Sequence, residues 1–264
     1  MSLFLLAVWT LWQRELVRFY RQPSRVIGAL APPILFWLLI GAGLGPSFHA
    51  PGAAGGGGGG GGSYLAYFFP GVVILILLFT AIFSEISIIE DRREGFLQAV
   101  LVSPVPRASV VLGKVLGGTT LAMLQSALFL LLGPAIGLHL PTAGALAVLV
   151  AVLFLLAFAL TALACAIAWW LDSTQGFHAI MNLFLIPMWL LAGTLFPAQG
   201  TPGWLGAVMR INPLTYGVAA LRRALAPADA AGLPDFGVSL AVTAACALLA
   251  FAAAGWVASR RPTR

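Results

Sequence analysis

Six apolar runs, each of about 20 residues or more, restrict this chain to folds that place them in lipid. At 1.5 Å per residue, an apolar helix of about 18 residues or more can cross roughly 30 Å of hydrocarbon. Strands of an outer-membrane barrel need about ten residues of alternating polarity, so these longer, uniform runs argue against a barrel. We therefore predict an all-α polytopic membrane protein that forms a single domain over residues 1–264. Its six transmembrane spans are expected at roughly 26–45, 65–88, 110–132, 143–170, 177–196 and 238–257.

The composition agrees with this class and excludes several soluble functions. Hydrophobic residues make up 61% of the chain and charged residues 8%. The net charge of +6 does not predict a nucleic-acid partner, because in a membrane protein the placement of Lys and Arg matters more than their sum. Cys165 and Cys246 lie inside apolar runs, and His49, His139 and His178 are isolated, so neither redox chemistry nor a metal site is expected. We see no catalytic residue set and no Walker sequence, so this chain is expected to bind no cofactor and not to hydrolyse ATP by itself.

The distribution of basic residues predicts the orientation of the spans. An even number of spans returns the C-terminus to the side of the N-terminus, and Lys and Arg collect on the cytoplasmic side. With both termini in the cytoplasm, eleven of the fourteen Lys and Arg residues lie inside, and Arg210, Arg222 and Arg223 lie outside. We therefore expect a multi-pass protein of a bacterial inner (plasma) membrane, in contact with the lipid bilayer.

Three segments outside the spans have patterns of their own. Residues 3–22 place basic and apolar side chains on different faces of a helix, which predicts an interfacial amphipathic helix; a basic tail attracted to anionic lipid is the alternative. Residues 55–62 are eight consecutive glycines and predict a flexible spacer without a binding role. Residues 198–225 are apolar but broken by proline and glycine, which predicts short re-entrant helices in the outer leaflet before the last span.

A run of five charges, Glu90 to Glu94, interrupts the apolar sequence directly after the second predicted span. A mixed segment follows it and suits a short helix at the membrane surface. The positive-inside rule accounts for the arginines of the run, but a solvated loop does not account for the interleaved acids. We therefore interpret residues 91–105 as a contact site for a partner, with a solvated loop as the alternative. The residues assigned to this contact are Asp91, Arg92, Arg93, Glu94, Gly95, Phe96, Leu97, Ser103 and Pro104.

Polar residues within the spans are candidates for a transport pathway, because polar groups are costly at membrane depth. Glu85 lies near the cytoplasmic end of its span, where we expect it to be hydrated; a place in the pathway is the alternative. Gln125 and Asn182 are expected either to line a cavity or to form hydrogen bonds between helices. Gly113 and Gly117, one helical turn apart, predict close contact with another helix.

Two separated motifs resemble those of ABC-2 type transporter permeases. Glu90 to Gly95, followed by residues 101–107 and 111–114, resembles the family's loop after the second span. The sequence Asn212-Pro213-Leu214-Thr215-Tyr216, with Arg222 six residues later, resembles its signature before the last span. With six spans and the amphipathic start, the resemblance covers essentially the whole chain. The glycine run is an insertion relative to this pattern.

The resemblance implies that this chain is the permease subunit of an ABC exporter. Two such subunits, as a homodimer or heterodimer, would form the pathway, and separate ABC ATPase subunits would bind ATP and Mg²⁺. Asp91 to Gly95 would lead into a cytoplasmic coupling helix, 96–103, seated in a cleft of the ATPase. Residues 3–22 would correspond to the family's connecting helix, and 198–225 to its outer re-entrant helices. A stand-alone secondary transporter or channel and a non-transporting membrane scaffold are the alternatives.

Overall fold

The computed structural model describes residues 2–44, 64–137, 142–195, 201–225 and 233–260. These ranges are helical and contain no β-strand. The glycine run, His49 and His139 lie outside the described residues. A 3₁₀ turn covers Gly133–Ile136, and a π turn covers Leu190–Thr194. The α-helices are α1 (Leu3–Arg21), α2 (Pro23–Leu44), α3 (Tyr64–Arg93), α4 (Phe96–Val102), α5 (Arg107–Leu130), α6 (Ala143–Trp170), α7 (Thr174–Trp189), α8 (Gly203–Ile211), α9 (Pro213–Leu225) and α10 (Phe236–Arg260).

Six of the described helical segments are long and apolar enough to cross a membrane: α2, α3, α5, α6, α7 with its π turn, and α10. Each predicted span falls on one of them, so the prediction of an all-α polytopic membrane protein with six spans is confirmed. α2 begins at Pro23, earlier than predicted, because proline is well suited to the first turn of a helix.

α3 lies at the centre of the bundle. Its side chains are buried along almost its whole length, with α2, α5, α6, α7 and α9 packed around it. A helix of 30 residues is about 45 Å long, which exceeds the roughly 30 Å of hydrocarbon in a bilayer. The last turn of α3 therefore carries Glu90 to Arg93 past the apolar part of the bundle. We refer to this end, where α1, α4 and the starts of α2 and α5 meet, as the charged end.

α1 packs along α5 through the two glycines that predict close helix contact. A Cβ atom on Gly113 would lie 2.9 Å from Cβ of Leu11, and one on Gly117 would lie 2.7 Å from Cβ of Glu15. Both distances are too short for a real carbon contact, so the spacing of the two helices depends on glycine at these positions. The contact fixes α1 against the spans and turns Glu15 inward.

α7 is broken near its C-terminal end. Gly193, in the π turn, has a φ of 79°, a left-handed conformation that glycine adopts without the usual steric cost. The short helices α8 and α9 follow, and α10 then packs along α6 and α9. α8 and α9 occupy the segment for which re-entrant helices are predicted, and their depth in the membrane stays a prediction.

Candidate functional site at the charged end

The candidate site is built where α3 ends and α4 begins. Gly95 separates the two helices with a φ of 79°, a conformation that costs other residues about 1–2 kcal/mol. Its backbone N–H donates to the carbonyl of Arg92 at 3.3 Å, so the chain turns within the two residues between α3 and α4. At the other end of α4, the Ser103 hydroxyl donates to the carbonyl of Val100 at 2.5 Å, and Pro104 disfavours further helix.

Asp91 is fully buried and joins three helices. Its carboxylate accepts hydrogen bonds from Arg14 at 2.6 and 2.9 Å, and also from Arg18 and from Nζ of Lys114. Lys114 is 1% exposed and also donates to Oε1 of Glu15 at 2.7 Å. Buried charges are tolerated when they are paired and hydrogen-bonded. This network therefore ties α3 to α1 and α5.

Arg14 extends the network to α4. Its guanidinium lies 3.7 Å from the ring centroid of Phe96, the first residue of α4, while it also contacts Asp91. Burial by itself would lower the pKa of Arg14, but the hydrogen bond and the charge of Asp91 raise that pKa above its ordinary value. Arg14 is therefore a permanent cation between the Asp91 carboxylate and the Phe96 ring.

The other charges of the run point to different neighbours. Glu90 accepts from Arg18 at 2.8 Å and also from Arg25 of α2. Arg92, on the other side of α3, donates to Oδ1 of Asp172 at 2.6 Å and thereby reaches the turn between α6 and α7.

Arg92 also donates to the backbone carbonyls of Leu171 and Trp169, each at 3.0 Å. Arg93 donates to the backbone carbonyl of Asp172 at 3.0 Å. The two arginines therefore brace the end of α3 against the turn that follows α6.

The residues of this run differ in how much of each side chain is exposed. Glu90, Asp91 and Arg92 are engaged within the chain. Glu94 also pairs with Arg18, at 3.5 Å, but keeps 62% of its side chain exposed. Beyond Glu94, exposed side chains continue on the outer face of α4, which we define as Gln98, Ala99 and Val102.

The inner face of α4 packs against the bundle. Leu97 is 1% exposed and lies in the main hydrophobic core, while Val102 on the opposite side is 85% exposed. α4 therefore has one face packed against the bundle and one exposed face.

The three candidate pathway residues do not form one site. Glu85 is 1% exposed, so the expectation that it is hydrated is wrong: α3 is covered by neighbouring helices at this depth, and the absence of a side chain at Gly118 of α5 lets that helix approach Glu85. Gln125 is buried and accepts a hydrogen bond from Thr80 at 2.8 Å, which links α5 to α3. Asn182 instead lies on the exposed side of α7.

The residues of the signature before the last span surround the break in α7. Asn212 donates from Nδ2 to the carbonyl of Met188 at 2.6 Å, and its Oδ1 accepts from the backbone N–H of Leu214 in the first turn of α9. Pro213 is the first residue of α9, where its missing N–H costs nothing. Tyr216 donates to the carbonyl of Arg210 at 2.9 Å and so holds α9 to α8.

Arg222 completes this arrangement from inside the bundle. It is 2% exposed, donates to the carbonyl of Gly193 at 3.0 Å, and lies 3.9 Å from the ring centroid of Tyr67. Asn212 therefore binds a carbonyl group just before the helix break, and Arg222 binds one within it.

The local sequence pattern did not reveal the partners of Asp91, namely Arg14, Arg18 and Lys114, nor Glu15, which pairs with Lys114. A signal for them existed, because Lys114 is a charged residue inside a predicted span and Glu15 is the acid within a basic helix. Charges at membrane depth need partners, so both residues indicated pairing with some other segment. The pattern does not say which segment that is.

The sequence of this chain matches one protein-family model and is similar to several named proteins. The family model described as ABC-2 type transporter matches residues 6–226. A protein of Cyanophora paradoxa named putative transport permease ycf38 is 26% identical over 224 residues, which cover 83% of this chain and 74% of that protein. A ycf38 protein of Porphyra purpurea is 22% identical over 215 residues, covering 80% of this chain and 70% of the relative.

A bacterial relative shares a shorter region. The probable multidrug ABC transporter permease YbhR of Escherichia coli K12 is 26% identical over 135 residues. These residues cover 51% of this chain and 36% of YbhR.

Proposed function

Because the chain belongs to the ABC-2 type transporter family and is a multi-pass transport permease, we propose that it is the membrane subunit of an ATP-driven exporter. A separate ABC ATPase would bind ATP and Mg²⁺, and the charged end would face the cytoplasm of a bacterial inner membrane, where it would meet that ATPase. The observation that carries this proposal is α4, a helix of seven residues with an anchored inner face and an exposed outer face.

The contacts of α4 support a coupling role. Leu97 sits in the core beneath α4, Phe96 is covered by Arg14, and Asp91 ties the preceding turn of α3 to α1 and α5. Closely packed elements transmit displacement because they have no free volume to absorb it. A push on the outer face of α4 would therefore move α3, α5 and α1 together.

The proposal is tested by co-purification of the tagged chain with a co-expressed soluble ATPase that carries a Walker sequence. We expect Val102→Glu to abolish the association, because it places a charge on the outer face of α4. Ile211→Glu is the matched control, since Ile211 is 83% exposed and lies at the end of α8, far along the chain from α4. Equal ATPase recovery with both variants contradicts the proposed site. Transport by the purified chain without any ATPase supports a stand-alone transporter instead.

We further propose that two permease subunits meet along α7. Asn182 is exposed on α7 beside Leu183 and Phe184, whose side chains are 69% and 65% exposed. An amide that faces lipid lacks hydrogen-bond partners, whereas an amide at a helix–helix interface can find them. This surface therefore suits a second permease copy better than it suits acyl chains.

Cysteine cross-linking tests this arrangement in a variant that lacks Cys165 and Cys246. We expect Asn182→Cys to give a covalent dimer in membranes under oxidation. Leu248→Cys on α10 is the control, because Leu248 is 68% exposed on a different helix. A dimer through Leu248 but not through Asn182 contradicts the assignment of α7 to the interface.

A further inference from the structure

α1 presents three different faces around its axis. One is buried against α5 and the bundle, and it carries Val8, Leu11, Glu15 and Phe19. A second is apolar and exposed, with Trp9, Val17 and Tyr20 each about half exposed. The third is basic and carries Arg14, Arg18 and Arg21, which follow one another at intervals of four and three residues. A helix at the surface of a bundle in water would not keep a separate exposed apolar face, so this pattern indicates contact with lipid.

The basic face of α1 opens into a cleft of about 540 Å³. Arg14, Val17, Arg18, Arg21, Gln22 and Glu94 line it. Three cations therefore face one carboxylate in this cleft. Val17 belongs to the exposed apolar face of α1, so the cleft is continuous with the surface that indicates lipid contact.

The three arginines are not equally engaged. Arg14 pairs with Asp91 and Glu15, Arg18 pairs with Asp91, Glu90 and Glu94, and the two side chains are 27% and 15% exposed. Arg21 is exposed, and no ion pair in the described part of the chain involves it. Arg21 therefore offers a planar guanidinium fork to an external anion, with two further positive charges behind it.

We propose that this cleft binds the phosphate of an anionic phospholipid, whose acyl chains lie along the exposed apolar face of α1. Arg21 holds the phosphate through paired hydrogen bonds, and Gln22 adds a neutral polar group beside it. The positive charges of Arg14 and Arg18 strengthen the attraction without giving up Asp91 and Glu90. Basic clusters beside a membrane span are well suited to anionic headgroups at the inner leaflet. This inference concerns the chain in its bilayer and does not depend on the ATPase.

The position of the cleft gives such a lipid an effect on the neighbouring helices. Glu94 forms one wall and stands directly before Gly95 and α4, while Arg14 covers Phe96. A lipid phosphate in the cleft would therefore stabilise α1 beside the end of α3 and the start of α4.

The test measures phosphatidylglycerol binding to the full chain in detergent micelles and in nanodiscs. Native mass spectrometry counts the bound lipids, and thermal unfolding reports the stabilisation. We expect phosphatidylglycerol to be retained and to raise the melting temperature, while phosphatidylcholine does neither. Arg21→Gln should weaken phosphatidylglycerol binding about tenfold, since it removes a charge-assisted hydrogen-bond pair. The affinity of Arg21→Lys for phosphatidylglycerol should lie between those of the unchanged protein and of Arg21→Gln, because lysine keeps the charge but loses the planar guanidinium fork.

Arg210→Gln is the matched control, because Arg210 is an exposed arginine on α8, and this variant should bind phosphatidylglycerol like the unchanged protein. Equal retention of phosphatidylglycerol and phosphatidylcholine overturns the proposal, as does equal loss of phosphatidylglycerol in the Arg21→Gln and Arg210→Gln variants. Stabilisation by free glycerol phosphate to the same extent as by phosphatidylglycerol shows a soluble phosphate site and rejects the lipid. If Arg21→Gln reduces ATPase recovery but leaves phosphatidylglycerol binding unchanged, the cleft contacts protein and the lipid site is rejected.

Discussion

Replacement of Asp91 by Asn tests whether the buried ion network holds the charged end together. The substitution keeps the size of the side chain but removes the negative charge that three cations share. Loss of one partner from a buried ion pair costs about 3–5 kcal/mol, because the remaining charge is left uncompensated in a medium of low polarity. Arg14 and Arg18 are partly exposed and can turn to water, whereas Lys114 stays buried and keeps only Glu15 as a charged partner. We therefore expect a loss near the lower limit, about 3 kcal/mol, most of it from Lys114.

The assay is thermal unfolding of the purified chain in detergent. One kcal/mol corresponds to about 2–4 °C for a chain of this size, so Asp91→Asn should lower the melting temperature by roughly 6–12 °C. Asp172→Asn is the control, since the Asp172 side chain is 76% exposed in its pair with Arg92 and such pairs contribute less than about 1 kcal/mol. Adding Lys114→Met to Asp91→Asn should restore part of the loss, with a coupling energy of about 1–3 kcal/mol. Equal shifts for Asp91→Asn and Asp172→Asn, or strictly additive effects of the double substitution, would show that the buried network does not hold the charged end together.

Three further substitutions examine the backbone and packing of the same fold. Gly95→Ala strains a left-handed residue by about 1–2 kcal/mol, so amide hydrogen exchange in α4 should become roughly five- to thirty-fold faster. Gly176→Ala is the control: its added Cβ meets only ordinary contacts, so it should leave exchange in α4 unchanged. Gly117→Ala should lower the free energy of unfolding by about 1–3 kcal/mol, because the added methyl group overpacks the contact with α1. Gly255→Ala has open space around it and should not lower that free energy, so equal effects would contradict the close contact of α1 and α5. Arg222→Met should cost about 1–3 kcal/mol in denaturant unfolding by leaving buried carbonyls of the α7 break unpaired, and an unchanged midpoint would argue against that role.

The six spans could be predicted from the sequence because each depends on a local property. Helix length and uniform apolarity decide whether a segment can cross a bilayer, and both can be read from consecutive residues. The contact of Gly113 and Gly117 with α1 is similar, since two small residues one turn apart make a flat surface whatever helix covers it. Only the structure shows that the helix covering these two glycines is α1.

The interior of the charged end could not be predicted in the same way. Asp91 pairs with Arg14 across 77 positions of the chain, and nothing in the local pattern around either residue selects the other. The mixed signs of the run indicate pairing, but an ion pair within the chain and one with a partner require the same residue types. The sequence thus indicates the importance of residues 90–94 without separating the internal network from the outer face of α4.

The burial of Glu85 could not be predicted from the sequence for a related reason. Its place near the end of a predicted span suggested hydration, because distance along the helix was the available measure of depth. Burial in a bundle depends instead on lateral neighbours, and Gly118 lets α5 approach Glu85 closely. Lateral packing of this kind follows from the assembled helices and not from the position of one residue in its own helix.

The outer face of α4 is the proposed contact with the ATPase, and site-specific cross-linking measures that contact directly. A single cysteine replaces Val102 in a chain without Cys165 and Cys246, and a thiol-reactive cross-linker is applied to membranes that also contain the ATPase. We expect a covalent adduct of permease and ATPase through Val102→Cys, and none through Ile211→Cys. An ATPase that co-purifies with the chain yet forms no adduct through Val102→Cys, or forms one equally through Ile211→Cys, would contradict the proposed contact.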